Sequence, residues 1–284
     1  SSITGNPKAI QKLEELFDNH GASSLKGKVT EEFKEAAKQL ENVKEVSKAL
    51  EVAGTLTQGL LSVVDGCMAN KPQRVDVAEC YTKAFHKKLC EMLSRTWNLL
   101  GISMAQTQLL DLIKWLISYD ANLNEIGVVD QKIQNSVEFL ILVYCNRGFS
   151  QSTESLSSVM NSVREGKPIL DKDSDCYIVC YSEICSIIEP YLFKVQEVNT
   201  KSFALNVINL LKDTVTQFEY SIYELINSEA LLELSFLIGL CNDSCLLIER
   251  SKNWFALLKP YVDSELLLQN LDLKEFSTTI SDLG

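Results

Sequence analysis

Three observations predict an all-α protein built as an elongated rod of consecutive helical bundles. The 284-residue sequence holds only 12 Gly and 5 Pro, too few for the many tight turns of sheet-rich folds. Apolar side chains recur at steps of three and four, the period of a helix with one buried face. Segments of about 15 to 25 residues alternate with short breaks, the pattern of helical bundles and stacked helical rods. A hydrophobic fraction of 46% beside 23% charged residues suits a packed core and argues against disorder. The length exceeds the usual single domain, so one long or two packed domains are expected, and two bundles are assigned, residues 1–128 and 129–284. Gly127–Asp130 marks the preferred boundary, with Glu165–Asp175 as the other candidate.

Along the chain, Asn6 followed by Pro7 reads as an N-cap and first helical position, and Ile10, Leu13, Leu16 and Phe17 follow at helical spacing. Thr30 precedes the next helix, in which Val29, Phe33, Ala36, Leu40, Val43 and Leu50 form a narrow apolar seam for a partner helix. Asn70-Lys71-Pro72 is the first clear break. A helix then runs from about Val75 to Leu99 and stops at Gly101. Ser103 starts another, with Leu109, Leu112, Ile113, Leu116 and Leu123 on its buried side and Gly127 at its end. Asp130 caps a helix through Cys145, stopped by Asn146-Arg147-Gly148. Ser150–Arg164 is polar but keeps a helical face in Leu156, Val159, Met160 and Val163. Glu165–Asp175 is a loop, and helices follow at Ser182–Val195, Lys201–Ile226, Glu229–Arg250, Asn253–Leu268 and Leu273–Leu283.

Charge narrows the range of partners. The net charge is −11, with residues 1–129 close to balance at 15 Lys/Arg against 16 Asp/Glu and residues 201–284 acidic at 6 against 12. Such a surface repels phosphate backbones and anionic membranes, so no nucleic acid is expected as a partner. Lys83, Lys87, Lys88 and Arg95 form a local basic run, read as a solvated helix face because Cys80, Phe85 and Leu89 interleave with it. No signal peptide is recognised, and the longest apolar stretch, Phe139–Cys145, falls far short of a membrane span.

The residues of known chemistries do not converge. Nine scattered cysteines lack the dense spacing of a disulfide framework and read as buried reduced thiols, which implies the cytosol. Cys176/Cys180 and Cys241/Cys245 each sit four apart, but only His20 and His86 are available to complete a zinc site, so no metal is expected. His86 has no partner discernible in sequence and reads as a surface or packing residue. Glu165-Gly166-Lys167 lacks the other residues of a phosphate loop. Asp171-Lys172-Asp173-Ser174-Asp175 begins like a calcium loop, but Cys176 and Ser182 stand where Gly and Glu are required. It reads as an acidic loop capping the next helix. The sequon Asn242-Asp243-Ser244 carries no meaning in a cytosolic helix. No catalytic or cofactor-binding residue is singled out, no cofactor is expected, and no partner-binding residue is assigned.

From Leu110 onward one set of features resembles a family. Leu112-Ile113-Lys114-Trp115-Leu116-Ile117-Ser118-Tyr119, then Leu123 and Ile126-Gly127-Val128, is similar to a stretch of the Sec-six subunit of the exocyst tethering complex. The acidic loop with Tyr177, Ser182-Glu183-Ile184-Cys185-Ser186-Ile187-Ile188, and the long helix ending near Phe218 follow in the family's order. Leu234-Ser235-Phe236-Leu237-Ile238 with Asn242 occupies the place of its apolar-then-Asn helix. The loop lacks the family's glycine and proline, Glu183 and Cys185 replace Asp and Phe, and Gly239-Leu240 stands for its Asn-Asn pair. The likeness covers roughly Leu110–Leu268 and describes a divergent member, the middle to C-terminal part of a longer chain.

The resemblance implies a non-enzymatic subunit that helps dock secretory vesicles at the plasma membrane. It would be cytoplasmic and recruited to sites of secretion, with other exocyst subunits and SNARE-type fusion proteins as partners and membrane association only through the complex. Trp115 and Tyr119 read as core anchors rather than a binding site. A helical scaffold or adaptor outside the exocyst is the second reading. An α-helical enzyme or lipid-transfer protein, the third, requires a deep pocket with convergent polar groups.

Overall fold

The computed structural model describes residues 7–40, 45–70, 75–100, 104–163, 169–171, 176–227 and 233–262. These residues are helical apart from one short ribbon and the connections, so the class is all-α. The chain packs as two compact units, Ser1–Leu140 and Ile141–Gly284. The division therefore falls inside a helix, whereas the sequence placed it in the turn before that helix.

The first unit contains α1 (Pro7–His20), α2 (Ala22–Leu40), α3 (Val46–Asn70), α4 (Val75–Leu100), α5 (Gln106–Glu125) and the start of α6 (Gln131–Val163). Gly21, at φ +70°, turns the chain between α1 and α2, a conformation that costs a glycine little. The seam expected to run through one helix from Val29 to Leu50 is divided, because α2 ends at Leu40 and α3 begins at Val46. Ala36 and Leu40 of α2 then pack against Ala49 and Val52 of α3. The α2 part of the seam thus packs against α3 residues outside it, while Leu50 is only half-buried. Phe33 meets Phe85 edge to face at 4.9 Å, and the buried Tyr81 donates to Glu32 Oε2 at 2.6 Å.

Gly66 sits in α3 where a Cβ would overlap Ile10 Cδ1 of α1. The missing side chain lets Ile10, 2% exposed, insert between the two helices. Residues Val46–Ala69 of α3 are long and apolar enough to cross a membrane, a stretch longer than any singled out from sequence. Within this unit Val52, Ala53, Leu60, Val63, Val64 and Cys67 of α3 are buried, and α3 packs with α1, α2, α4 and α5.

At its C-terminus α5 follows the expectation for Gly127. Gly127 adopts φ +83°, its N–H bonds Asn124 O, and the Val128 N–H reaches back to Leu123 O. That pair of bonds satisfies carbonyls the helix would leave orphaned. At the other end, Gln108 turns its side chain back to accept the Ala105 N–H at 3.0 Å.

The second unit holds the rest of α6, β1 (Ile169–Asp171), β2 (Cys176–Ile178), α7 (Tyr181–Val198), α8 (Lys201–Asn227), α9 (Leu234–Leu258) and a 3-10 turn at Lys259–Tyr261. Where only a loop was expected, β1 and β2 pair antiparallel with Leu170 opposite Tyr177. Asn199, at φ +52°, ends α7, and Thr200 Oγ1 accepts the Phe203 N–H at the start of α8.

Two expected breaks are absent. α6 continues through Asn146-Arg147-Gly148, because Tyr144, Cys145 and Gly148 face the core and Tyr144 packs on Phe203 at 5.7 Å. Burial there outweighs the penalty of about 1 kcal/mol for a mid-helix glycine. α9 likewise runs past Arg250–Asn253, since Leu247, Ser251, Trp254 and Leu258 continue one buried face. The helix expected at Leu273–Leu283 lies outside the described residues.

Candidate functional site

Three polar or exposed arrangements could carry function, and the first two are built from residues far apart in sequence. In the first unit, α4 presents His86 toward α5 and the start of α6. Its Nε2 lies 2.7 Å from Asp130 Oδ2 and its Nδ1 lies 3.1 Å from Tyr119 Oη. The side chain is 12% exposed. Tyr119 stacks in turn on Trp115 at 5.2 Å, and Asp130 Oδ1 accepts the Lys132 N–H as the cap of α6. Sequence reading left His86 without partners because they lie 33 and 44 positions away.

Cys90, one turn on, brings its sulfur within 3.6 Å of the His86 ring, so this cluster has the composition of a Cys–His–Asp nucleophile site. Its electrostatics do not suit that chemistry. Burial, reinforced by the Asp130 charge, pushes the Cys90 thiol up to about 11, whereas an activated cysteine needs a lowered value. Both imidazole nitrogens are already engaged. Burial alone would raise the Asp130 carboxyl, yet the bonds from His86 and Lys132 N–H hold it below the usual carboxylate value. The cluster ties three helices together, and Trp115 and Tyr119 belong to that tie.

In the second unit the central polar group is Asp243, fully buried on α9. Its carboxylate accepts the Cys180 N–H at 2.8 Å, the Val179 N–H at 3.1 Å and the Cys180 thiol at 3.3 Å. It thereby caps α7 from another helix, the role the sequence gave to the Asp171–Asp175 loop. Desolvation raises the Asp243 carboxyl above its usual value, against the lowering by these donors. Sequence reading noticed Asp243 only as the middle of a sequon. Cys176 stands in β2 and Cys180 precedes α7, so that pair does not share a helix face. Glu189 of α7 accepts from Arg250 at 2.6 Å and from Trp254 Nε1 at 3.3 Å, securing the C-terminal half of α9.

The third arrangement is the outer face of α9. Leu234 is 73% exposed and Ile238 46%, and Cys241 and Cys245 are exposed beside them. Their steps of four, three and four confine them to an arc of about 60° at 100° per residue. The opposite side carries Phe236, Leu240, Asp243, Leu247 and Trp254, all buried. α9 is therefore apolar on two faces, only one of which the described residues cover. The expectation of buried thiols fails at Cys241 and Cys245, because the core-facing positions of α9 are already taken.

The lysine run of α4 is also brought to a partner. Lys83, Lys87 and Lys88 line a groove with Lys26 of α2, while the Arg95 side chain lies outside the described residues. Of the acidic run 171–175, only the backbone of Asp171 is described.

Comparison with protein-family models, with curated proteins and with solved structures finds no match to this chain.

Proposed function

We propose that this chain is a non-enzymatic helical protein that works by holding partner helices. Its particular role is that of a subunit in a vesicle-tethering complex of the exocyst kind, docking secretory vesicles at the plasma membrane. The outer face of α9 is the observation that carries the first part. A helix that buries one apolar face and leaves a second exposed, at coiled-coil spacing, fits a second helix along that seam. The resemblance over Leu110–Leu268 carries the second part.

The seam from Leu234 to Cys245 contains no charge on its exposed positions, and Glu233 and Glu249 flank it. Residues 201–284 are acidic as a whole, with 6 Lys/Arg against 12 Asp/Glu. The occupant is accordingly an amphipathic partner helix with an apolar stripe and Lys/Arg flanks, steered by charge and held by burial. Stiff helical bundles would space the membranes, with membrane contact supplied by the rest of the complex. Other exocyst subunits and SNARE-type fusion proteins are the partners this reading names. A scaffold or adaptor outside the exocyst is the second reading, since the α9 seam needs no particular family.

The test is affinity purification of the tagged chain and its Ile238→Glu variant from native cells, with bound proteins identified by mass spectrometry. Several exocyst subunits in similar amounts with the parent, and their loss with Ile238→Glu, support the proposal. No exocyst subunit with a folded parent chain overturns the tethering reading. Undiminished recovery with a folded Ile238→Glu variant removes α9 as the partner face, and a self-associating chain in sedimentation assigns that face to a second copy.

A further inference from the structure

We infer that the groove between α2 and α4 binds a compact ligand bearing two or more phosphate groups. The groove encloses about 460 Å³ and is lined by Ala22, Cys80 and Ala84, with Lys26, Lys83, Lys87 and Lys88 among its other residues. Small side chains on both helices leave the concavity, and long cationic ones reach over it. Lys83 and Lys87 stand four apart on α4, a like-charge spacing that destabilises a helix on its own. Packing α4 against α2 adds Lys26 to the same place. A chain of net charge −11 thus gathers four lysines around one depression.

The pairing of these lysines indicates the ligand's charge. Lys83 meets Glu79 and Lys88 meets Glu91, which also lines the groove. Lys26 and Lys87 form no ion pair among the described residues. Two unpaired ammonium groups call for at least two negative charges held close together. Ammonium groups are compact point charges, suited to phosphate oxygens without a fixed fork geometry. The groove is of the size that takes a small molecule and is lined by no aromatic side chain, so charge rather than stacking supplies the affinity. An inositol carrying several phosphates has this chemistry, whether free or as a lipid headgroup.

The proposal is tested on the full chain with two probes: inositol trisphosphate in calorimetric titration, and phosphatidylcholine vesicles with and without phosphatidylinositol bisphosphate in co-sedimentation. The double variant K26E/K87E is compared with K38E/K48E, which changes net charge equally at exposed lysines outside the groove. Saturable binding that weakens by about tenfold or more in K26E/K87E, and less in K38E/K48E, is the expected result. Protection of Cys80 from alkylation by the bound trisphosphate, read by mass spectrometry, places the ligand in the groove. Binding to the bisphosphate vesicles with the same variant pattern assigns a lipid headgroup as source, and binding of the trisphosphate alone assigns a free ligand. Equal weakening in the two folded double variants, no protection of Cys80, or no saturable binding of either probe overturns the inference.

Discussion

Asp243 shows how one side chain can hold an element at a distance. Its carboxylate satisfies two backbone N–H groups just before α7, and its removal leaves them, the buried Cys180 N–H above all, without that acceptor. Asp243→Ala is expected to cost about 1–3 kcal/mol in urea unfolding, and Asp243→Asn less, because an amide oxygen still accepts. Desolvation raises this carboxyl in the fold, so its stabilisation is fully present below the unfolded value and is lost as pH rises through the folded one. Relative to Asp243→Asn, the parent chain should lose stability as pH climbs past the ordinary carboxylate range. Asp130 works with the opposite sign. His86 and the Lys132 N–H hold it low despite burial, so its contribution is present above the usual carboxylate value and is lost on further acidification. His86→Ala is expected to cost about 1–2 kcal/mol at neutral pH and to reduce that acid-side loss, the Lys132 N–H still holding part of it, as measured by unfolding across the acid range.

At the scale of elements, helix packing here depends on small residues and on what each face leaves uncovered. Gly66→Ala places a methyl group against Ile10 Cδ1, the far end of a flexible side chain that must turn aside. Set against a gain of about 1 kcal/mol in helix propensity, the net change expected in thermal or urea unfolding is within about 1 kcal/mol. The same change in an Ile10→Ala background should cost less, because the obstructing atoms are gone. On α9, native-state alkylation should modify Cys241 and Cys245 well before Cys67, Cys145 and Cys180, which are buried. Burial also pushes the Cys145 thiol up to about 12, which slows it further. Equal rates at all five sites, read by mass spectrometry, would show that the outer face of α9 is covered.

For the whole molecule, charge sets the conditions under which the chain stays dispersed. With a sequence pI of about 4.8, mutual repulsion operates at neutral pH and vanishes near that value. Light scattering should therefore rise as pH falls toward the pI, with the exposed α9 stripe free to associate once repulsion is gone. Leu234→Glu with Ile238→Glu should reduce scattering at neutral pH under high salt, where repulsion is screened and apolar contact dominates. The two compact units share this charge unevenly, with 16 Lys/Arg against 18 Asp/Glu over Ser1–Leu140 and 11 against 20 over Ile141–Gly284.

The helical class, the borders of α4, α7 and α8 and the turn at Gly127 are legible in the amino-acid order, because periodicity and a left-handed glycine are local properties, whereas the start of α2 at Ala22 rather than after Thr30 is not. Gly148 and Arg250–Asn253 are misread, since a local break signal carries no record of what the helix buries. Packing alone brings His86 to Asp130 and Tyr119, Asp243 to the start of α7, and Lys26 to the lysines of α4. Those partners are brought together by packing between helices, and no spacing within one helix encodes them. The α9 seam lies between the two cases: its apolar residues are plain in the sequence, but burial of the opposite face is what leaves this one exposed.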